Sequence, residues 1–245
     1  MVDVTITEAR SAVQGTGRAY LIIVGVTGAL VVAANLWIPA TRPYLAHEGG
    51  IVENLSAVFY LFGFLGGAWA CRDALRDPSA RRYLAIPVLS ALSFFDEIGD
   101  GIFADPPPHV YGVKVTGLHE FAHVAVKLWR DAPGSLQVAS LLGIAVLGTA
   151  FAWRFGPRLL ALVRSEQAYR FVVLWFSVAA VALVLDADKG DVLTFYEEWL
   201  EMNAALALLF AAAVIPTRGA APTGLLRLAF WICVALASAA GLVFA

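Results

Sequence analysis

The chain alternates between long apolar runs and short polar connections. Each run has roughly 17–25 residues, the length of an α-helix that crosses the hydrocarbon core of a bilayer. The runs lack the alternation of apolar and polar residues that is typical of a membrane β-barrel. The pattern therefore predicts an all-α integral membrane protein, a bundle of about seven transmembrane helices. The predicted spans cover residues 19–40, 50–71, 82–99, 136–154, 170–186, 193–215 and 226–245.

One shorter stretch, 117–130, also has helical character and lies within the polar outer connection 100–135. A helix of that length measures about 20 Å, which is less than the ~30 Å hydrocarbon core. We therefore expect a short interfacial or re-entrant helix. Pro106, Pro107 and Pro108 precede it and predict a stiff, extended link without helix.

Composition agrees with a membrane location. Hydrophobic residues make up 60% of the 245 residues and charged residues 15%, whereas a soluble domain carries about a quarter charged residues. The net charge of −2 gives no support for a nucleic-acid partner, so the expected partner is the lipid bilayer. Nothing requires Cys71 and Cys233 to pair. The apolar run after Arg18 is too long for the core of a signal peptide. Residues 1–18 are therefore predicted to be a cytoplasmic segment of one transmembrane domain, 1–245.

Lys and Arg give the predicted orientation, because they concentrate in the cytoplasmic connections of membrane proteins. With seven spans and a cytoplasmic N-terminus, twelve of these 17 residues lie inside and five lie outside. The C-terminus is then outside, and the expected location is the inner membrane of a bacterium. The five outer cations are Arg42, Lys114, Lys127, Arg130 and Lys189.

Acidic residues and histidines gather on the outer side of the membrane in this topology. Ionisable side chains close to the hydrocarbon region are costly and usually face a cavity or a partner. Acids from four spans could therefore share one polar site. The alternative is a set of separate, solvated helix ends, since the helix dipole favours acids near an N-terminus. The acids close to the outer ends of the predicted spans are Glu53, Asp96, Glu97, Asp186, Glu197, Glu198 and Glu201.

The short helix carries the string HEFAH, in which His119 and His123 are four residues apart. On a helix this spacing puts both imidazoles on one face, where they can bind one Zn²⁺. Glu120 would then be the catalytic general base that activates a metal-bound water. Glu198 or Glu201 would be the third ligand, and the other acids named above would be supporting or alternative ligands. This hypothesis predicts a zinc-dependent hydrolase that acts on a lipid or a membrane-proximal peptide.

Two other hypotheses use the same residues. Glu120 with His123, and Glu198 with Glu201, match part of the ligand set of dinuclear carboxylate bundles, so an iron or manganese oxidoreductase is one alternative. The other is a non-enzymatic transporter, ion-binding or structural subunit, because neighbouring carboxylates suit proton or cation exchange. A polar route from the outer acids to the arginine-rich side would indicate a transporter.

A weak internal echo links two of the predicted spans. Residues 52–62 read VENLSAVFYLF and residues 200–210 read LEMNAALALLF. Both segments have an acid at the second position and enter the membrane from outside in the predicted topology. A duplication would produce such a pair, although apolar helices also resemble one another without common descent.

The stretch SFFDEIGDGIFADPPPHVYGVKVTGLHEF resembles a group of bacterial multi-span inner-membrane proteins of unknown function. The shared pattern is an acidic pair that ends a span, a Gly-Ile-Phe-like stretch, prolines, and Leu-His followed by a polar residue. In this chain these positions are Asp96-Glu97, Gly101-Ile102-Phe103, Pro106 to Pro108, and Leu118-His119-Glu120. A later acidic helix start, Glu197-Glu198 and Glu201, is similar to the group as well. The resemblance implies that Glu97 and His119 belong to the motif, and it implies no particular activity.

Overall fold

A computed structural model describes residues 2–38, 50–72, 77–99, 108–115, 117, 120–186 and 191–215. These residues are mostly helical, so the all-α prediction is confirmed for the described part of the chain. The chain forms two compact units, one made of Met1–Phe94 with Gln167–Ala245 and the other of Phe95–Glu166. The predicted seventh span, 226–245, lies outside the described residues, as do Pro106 and Pro107 of the predicted link.

Eight helices and one hairpin make up the described residues. In chain order they are α1 (Val2–Trp37), α2 (Ile51–Ala70), the one-turn α3 (Pro78–Arg81), α4 (Ala85–Glu97), β1 (His109–Val110), β2 (Val113–Lys114), α5 (Glu120–Asp131), α6 (Gly134–Ser165), α7 (Gln167–Asp186) and α8 (Asp191–Ala213).

The central helix of the first unit is α8, which packs against α7, α2 and α1. All of its residues from Met202 to Ala213 are buried. Many of them are alanines, and small side chains let neighbouring helices approach closely. Three aromatic rings join α8 to α1 and α7, because Tyr20 lies 5.4 Å from Phe171 and 5.5 Å from Phe210 between ring centroids.

Glycines on α2 allow the close approach of α4 and α8. A Cβ atom at Gly63 would lie 2.9 Å from Oγ of Ser90 and 3.4 Å from the backbone nitrogen of Leu209. A Cβ atom at Gly67 would lie 3.0 Å from Cδ of Pro87. α2 is therefore in direct contact with both neighbouring helices along its second half.

The second unit begins with a tight hairpin that pairs His109 with Lys114 and Val110 with Val113. Its two turn residues, Tyr111 and Gly112, have φ angles of 52° and 74°. Positive φ at both central residues is the signature of a type I′ turn, which matches the twist of the strands that it joins. The prolines before this segment predict an extended link, and the sequence pattern did not predict the hairpin.

Helices α5 and α6 of the second unit meet at a corner that side-chain hydrogen bonds close. Nε2 of Gln137 donates to the backbone oxygens of Trp129, Arg130 and Ala132, at 3.2, 3.1 and 3.1 Å. The carbonyls in the last turn of a helix have no partner within the helix, so Gln137 satisfies the end of α5. Nε1 of Trp129 also donates to Oγ of Ser140 at 2.9 Å.

The predicted spans agree with the helices at some boundaries and differ at others. α2 and α8 match the predictions 50–71 and 193–215 closely. α4 has only 13 residues, about 20 Å, because it begins beside Pro87, a residue tolerated only in the first turn of a helix. α6 continues to Ser165, past the predicted span end at 154. The arginines there end the apolar run but favour helix.

Two of the described helices, Gly134–Ser165 and Gln167–Leu185, are long and apolar enough to cross a membrane. This finding supports a membrane protein by the length and composition of those helices. The count of seven spans, their orientation and the bacterial inner membrane stay predictions.

Candidate functional site

The acids of α8 lie on its first three turns, ahead of the buried second half. Glu197, Glu198 and Glu201 are each half-buried, and residues three or four apart share one side of a helix. One carboxylate oxygen of Glu198, Oε2, is buried. A carboxylate taken out of water is costly unless its surroundings compensate for the lost hydration, so Glu198 is the strongest site candidate on this helix.

The position of α2 relative to α8 follows from contacts that both helices make around α7. The short connection 187–190 joins α7 to α8, and the ring of Phe171 near the start of α7 packs at a tilt against the ring of Phe210 near the end of α8, with centroids 5.6 Å apart. These two helices are therefore antiparallel. Trp175, one turn further along α7, is level with a part of α8 about one turn before Phe210.

Helix α2 runs in the same direction as α8. Nε1 of Trp175 lies 3.4 Å from the hydroxyl of Tyr60, whereas Gly63 faces Leu209, closer to the end of α8. Tyr60 precedes Gly63 along α2, and the part of α8 that is level with Tyr60 likewise precedes Leu209, which is level with Gly63. Both helices consequently begin at the same end of the unit.

This register places Glu53 level with the acids of α8. Glu53 is ten residues before Gly63, and Trp199 is ten residues before Leu209, so each lies about 15 Å along its helix from the common contact. Glu198 and Glu201 flank Trp199 in sequence. Of the predicted site residues, the structure therefore brings Glu53, Glu197, Glu198 and Glu201 to one end of the first unit.

The side of α8 opposite its acidic residues makes polar contacts to α1. Nε1 of Trp199 lies 3.4 Å from Oγ1 of Thr27, and a Cβ atom at Gly28 would lie 2.9 Å from the indole ring. The hydroxyl of Tyr20 lies 3.4 Å from the backbone oxygen of Asn203. These contacts fix the rotation of α8, so its acidic side is turned away from the Trp199 contact with α1.

Asn203 is a buried polar residue that the sequence analysis did not single out. It is 2% exposed. Its Nδ2 donates to the backbone oxygen of Trp199 at 2.6 Å, and its Oδ1 has no hydrogen-bond partner among the described residues. The sequence signal was present, since an amide at the start of the apolar run 202–213 is unusual in a buried helix.

In the second unit, Glu120 has a clear structural role. Its Oε2 accepts a hydrogen bond from the backbone N–H of Gly117 at 2.6 Å. A glutamate that reaches back three residues to the backbone N–H before a helix is one half of a capping box. The same carboxylate was predicted to be a general base, and in this structure it caps the start of α5.

The rest of the predicted zinc motif is described in part. His123 lies one turn after Glu120 on α5 and is half-buried, whereas His119 lies outside the described residues. Over the described ranges, no three His, Cys, Asp or Glu side chains group together in a way that could hold a metal ion. The zinc site therefore stays a prediction.

The remaining predicted acids lie at helix ends. Asp96 and Glu97 are half-buried in the last turn of α4 and belong to the second unit. Asp186 is the last residue of α7, in the first unit. Each of the three thus ends a helix, as the sequence pattern predicted.

Comparisons with other proteins do not assign this arrangement to a family. No protein-family model, curated protein or solved structure matches the chain. The function is therefore argued from the two groups of residues described above, the carboxylates of α2 and α8 and the start of α5.

Proposed function

We propose that the chain is a polytopic protein of a bacterial inner membrane, with seven spans and a cytoplasmic N-terminus. The exposed surface of α6 supports this proposal. None of the described side chains of this helix is buried, and its exposed residues include Leu141, Ile144 and Leu147. Apolar surface costs about 25 cal/mol for each Å² left in water, so a bilayer around α6 removes a large unfavourable term.

We further propose that this membrane protein binds a proton through the carboxylates of α2 and α8. The observation that carries this proposal is the parallel register, which sets Glu53 level with Glu198 and Glu201 while an oxygen of Glu198 is buried. A bound proton offsets the cost of placing carboxylates beside the hydrocarbon region. A non-enzymatic ion-binding or transport subunit is the function that this arrangement supports best.

Glutamine variants in lipid nanodiscs test this function. Glu53→Gln, Glu198→Gln and Glu201→Gln each remove one carboxylate and keep the shape of the side chain. The control is Glu166→Gln, at the end of α6 in the second unit. We would record infrared difference spectra of the carboxyl groups during a pH titration. A carboxyl band that Glu198→Gln removes and Glu166→Gln retains is the expected result. Signals that survive in all three site variants would refute the proposal.

A zinc-dependent hydrolase is the second candidate, favoured by the start of α5. Glu120 and His123 lie one turn apart on a helix, as the zinc motif requires. We would measure metal by elemental mass spectrometry in the purified protein and in His119→Ala and His123→Ala, with His109→Ala as the matched control. About one zinc per chain, lost only in the first two variants, supports the hydrolase. An unchanged metal content in His119→Ala rules it out, and two iron or manganese ions per chain would favour the dinuclear oxidoreductase instead.

A further inference from the structure

Helix α5 has one apolar face that the protein leaves uncovered. Phe121 is 54% exposed and Val126 47% exposed, and Leu128 and Trp129 are exposed as well. At about 100° per residue these four side chains fall on one half of the helix. An exposed apolar face of this kind indicates a contact with another protein or with a membrane.

The opposite half of α5 is polar and carries the hairpin. Lys127 and Arg130 lie on this half with His123, at intervals of three or four residues. A Cβ atom at Gly112, in the hairpin turn, would lie 3.2 Å from Nζ of Lys127, and Val124 at the border of the polar half is buried. The hairpin therefore sits on the polar side of α5, and the apolar side faces away from it.

The corner to α6 limits where α5 can lie. α5 ends at Asp131 and α6 begins at Gly134, and Gln137 and Trp129 bond the two helices together across the corner. The apolar part of α6 begins within its first turns. If α6 enters the bilayer at that point, α5 must lie at the level of the membrane surface.

We propose that α5 lies in the surface of the phospholipid bilayer, with its apolar face among the upper acyl chains and with Lys127 and Arg130 bound to lipid phosphates. Three features indicate that lipid contacts the apolar face of α5. They are the amphipathic pattern, the cations on the polar half and the continuity with α6. Tryptophan is favoured at this depth because its ring is apolar and its N–H is polar, and Trp129 lies on the apolar face. This inference rests on the proposed membrane location.

Spin labels on single cysteines test the depth of α5 in the full-length protein. After Cys71→Ser and Cys233→Ser, a cysteine replaces Val126, Lys127 or Leu141 in vesicles of phosphatidylcholine and phosphatidylglycerol. Collisions with oxygen report contact with acyl chains, and collisions with a water-soluble nickel chelate report contact with water. We expect the label at 126 to favour oxygen, the label at 127 to favour nickel, and the label at 141 to favour oxygen most strongly.

The outcomes separate this inference from the membrane proposal. A label at 126 that favours nickel as strongly as the label at 127, while the label at 141 favours oxygen, overturns the inference alone. A label at 126 that neither reagent reaches indicates a protein partner, which also overturns it. A label at 141 that favours nickel overturns the membrane location itself.

The two cations are tested by the lipids that the purified protein retains. Each cation near a membrane surface favours anionic lipid by about fivefold. Native mass spectrometry should therefore show that Lys127→Gln with Arg130→Gln lowers the retained ratio of phosphatidylglycerol to phosphatidylcholine by roughly fivefold or more. Lys127→Arg with Arg130→Lys is the charge-matched control and should keep the ratio. An unchanged ratio in the glutamine variant would show that these side chains do not bind lipid phosphate.

Discussion

Replacing Gly63 with alanine tests the three-helix contact that sets the level of α2 against α8. The added Cβ would lie 2.9 Å from Oγ of Ser90, and 3.4 Å from both Cβ of Ser90 and the backbone nitrogen of Leu209. Non-bonded carbon atoms attract best at about 3.5–4.0 Å, so the methyl group overlaps its neighbours. Overpacking costs about 1–3 kcal/mol, and the better helix propensity of alanine returns up to about 1 kcal/mol. We expect a lower free energy of unfolding for Gly63→Ala.

Ser90→Ala should restore much of that loss. Oγ of Ser90 is buried and has no hydrogen-bond partner among the described residues, so its removal alone should change the free energy of unfolding by less than about 1 kcal/mol. In the double variant the closest overlap is gone. The two substitutions should therefore be coupled by about 0.5–3 kcal/mol, the range for residues in contact.

The assay is unfolding of the detergent-solubilised protein by SDS, followed by circular dichroism for the wild type, both single variants and the double variant. Gly25→Ala is the control, because a Cβ at Gly25 has nothing within 4 Å and should gain up to about 1 kcal/mol of helix propensity. Strictly additive effects of Gly63→Ala and Ser90→Ala would refute the argument. A stabilised Gly63→Ala that behaves like Gly25→Ala would refute it as well.

Three further predictions concern the second unit. Gly112→Ala should weaken the hairpin by about 1–3 kcal/mol in hydrogen-exchange measurements, because its φ is 74° and Lys127 is close, whereas Gly134→Ala, with open space around it, should not. Gln137→Ala should raise amide exchange in the last turn of α5 by the equivalent of about 1–3 kcal/mol, since the carbonyls of Trp129, Arg130 and Ala132 lose the two N–H groups that they share. Glu120→Gln should keep the stability of α5, because glutamine also completes a capping box, while Glu120→Ala should lower it. If Glu120 is in addition a general base, Glu120→Gln alone abolishes activity in a folded protein.

The apolar runs predicted much of the helical fold, because burial in lipid or in a helical core both need long apolar segments. α2 and α8 are the clearest cases. The same signal does not give the ends of α4 and α6 as helices, since hydropathy measures where apolar residues stop and a helix can continue through arginines. The hairpin was missed because its turn is Tyr111-Gly112, whereas a two-residue hairpin is indicated by Asn-Gly or Asp-Gly. The prolines before it predict an extended link instead.

The candidate site could be predicted as a set of residue types but only in part as a geometry. The predicted topology placed the acidic starts of α2 and α8 on one side of the membrane, and the register of the two helices sets both starts at one end of the first unit. The relative height of the two helices depends on Gly63, Ser90 and Leu209, whose contacts lie far apart in sequence. The capping bond of Glu120 depends on the backbone at Gly117. A motif gives residue types at a spacing, and it does not tell which backbone groups compete for them.

The register of α2 and α8 brings together the two similar segments, residues 52–62 and 200–210. Aligning VENLSAVFYLF with LEMNAALALLF pairs Glu53 with Glu201, an offset of 148 residues. The packing pairs Gly63 with Leu209, an offset of 146. The two offsets differ by two residues, about 3 Å along a helix, so the two similar segments lie side by side, run in the same direction and begin at nearly the same level. Two parallel segments packed in this register bring an acid at the same position of each segment to nearly one height. The shared level of Glu53 and Glu201 thus follows from two similar segments that pack side by side in the same direction.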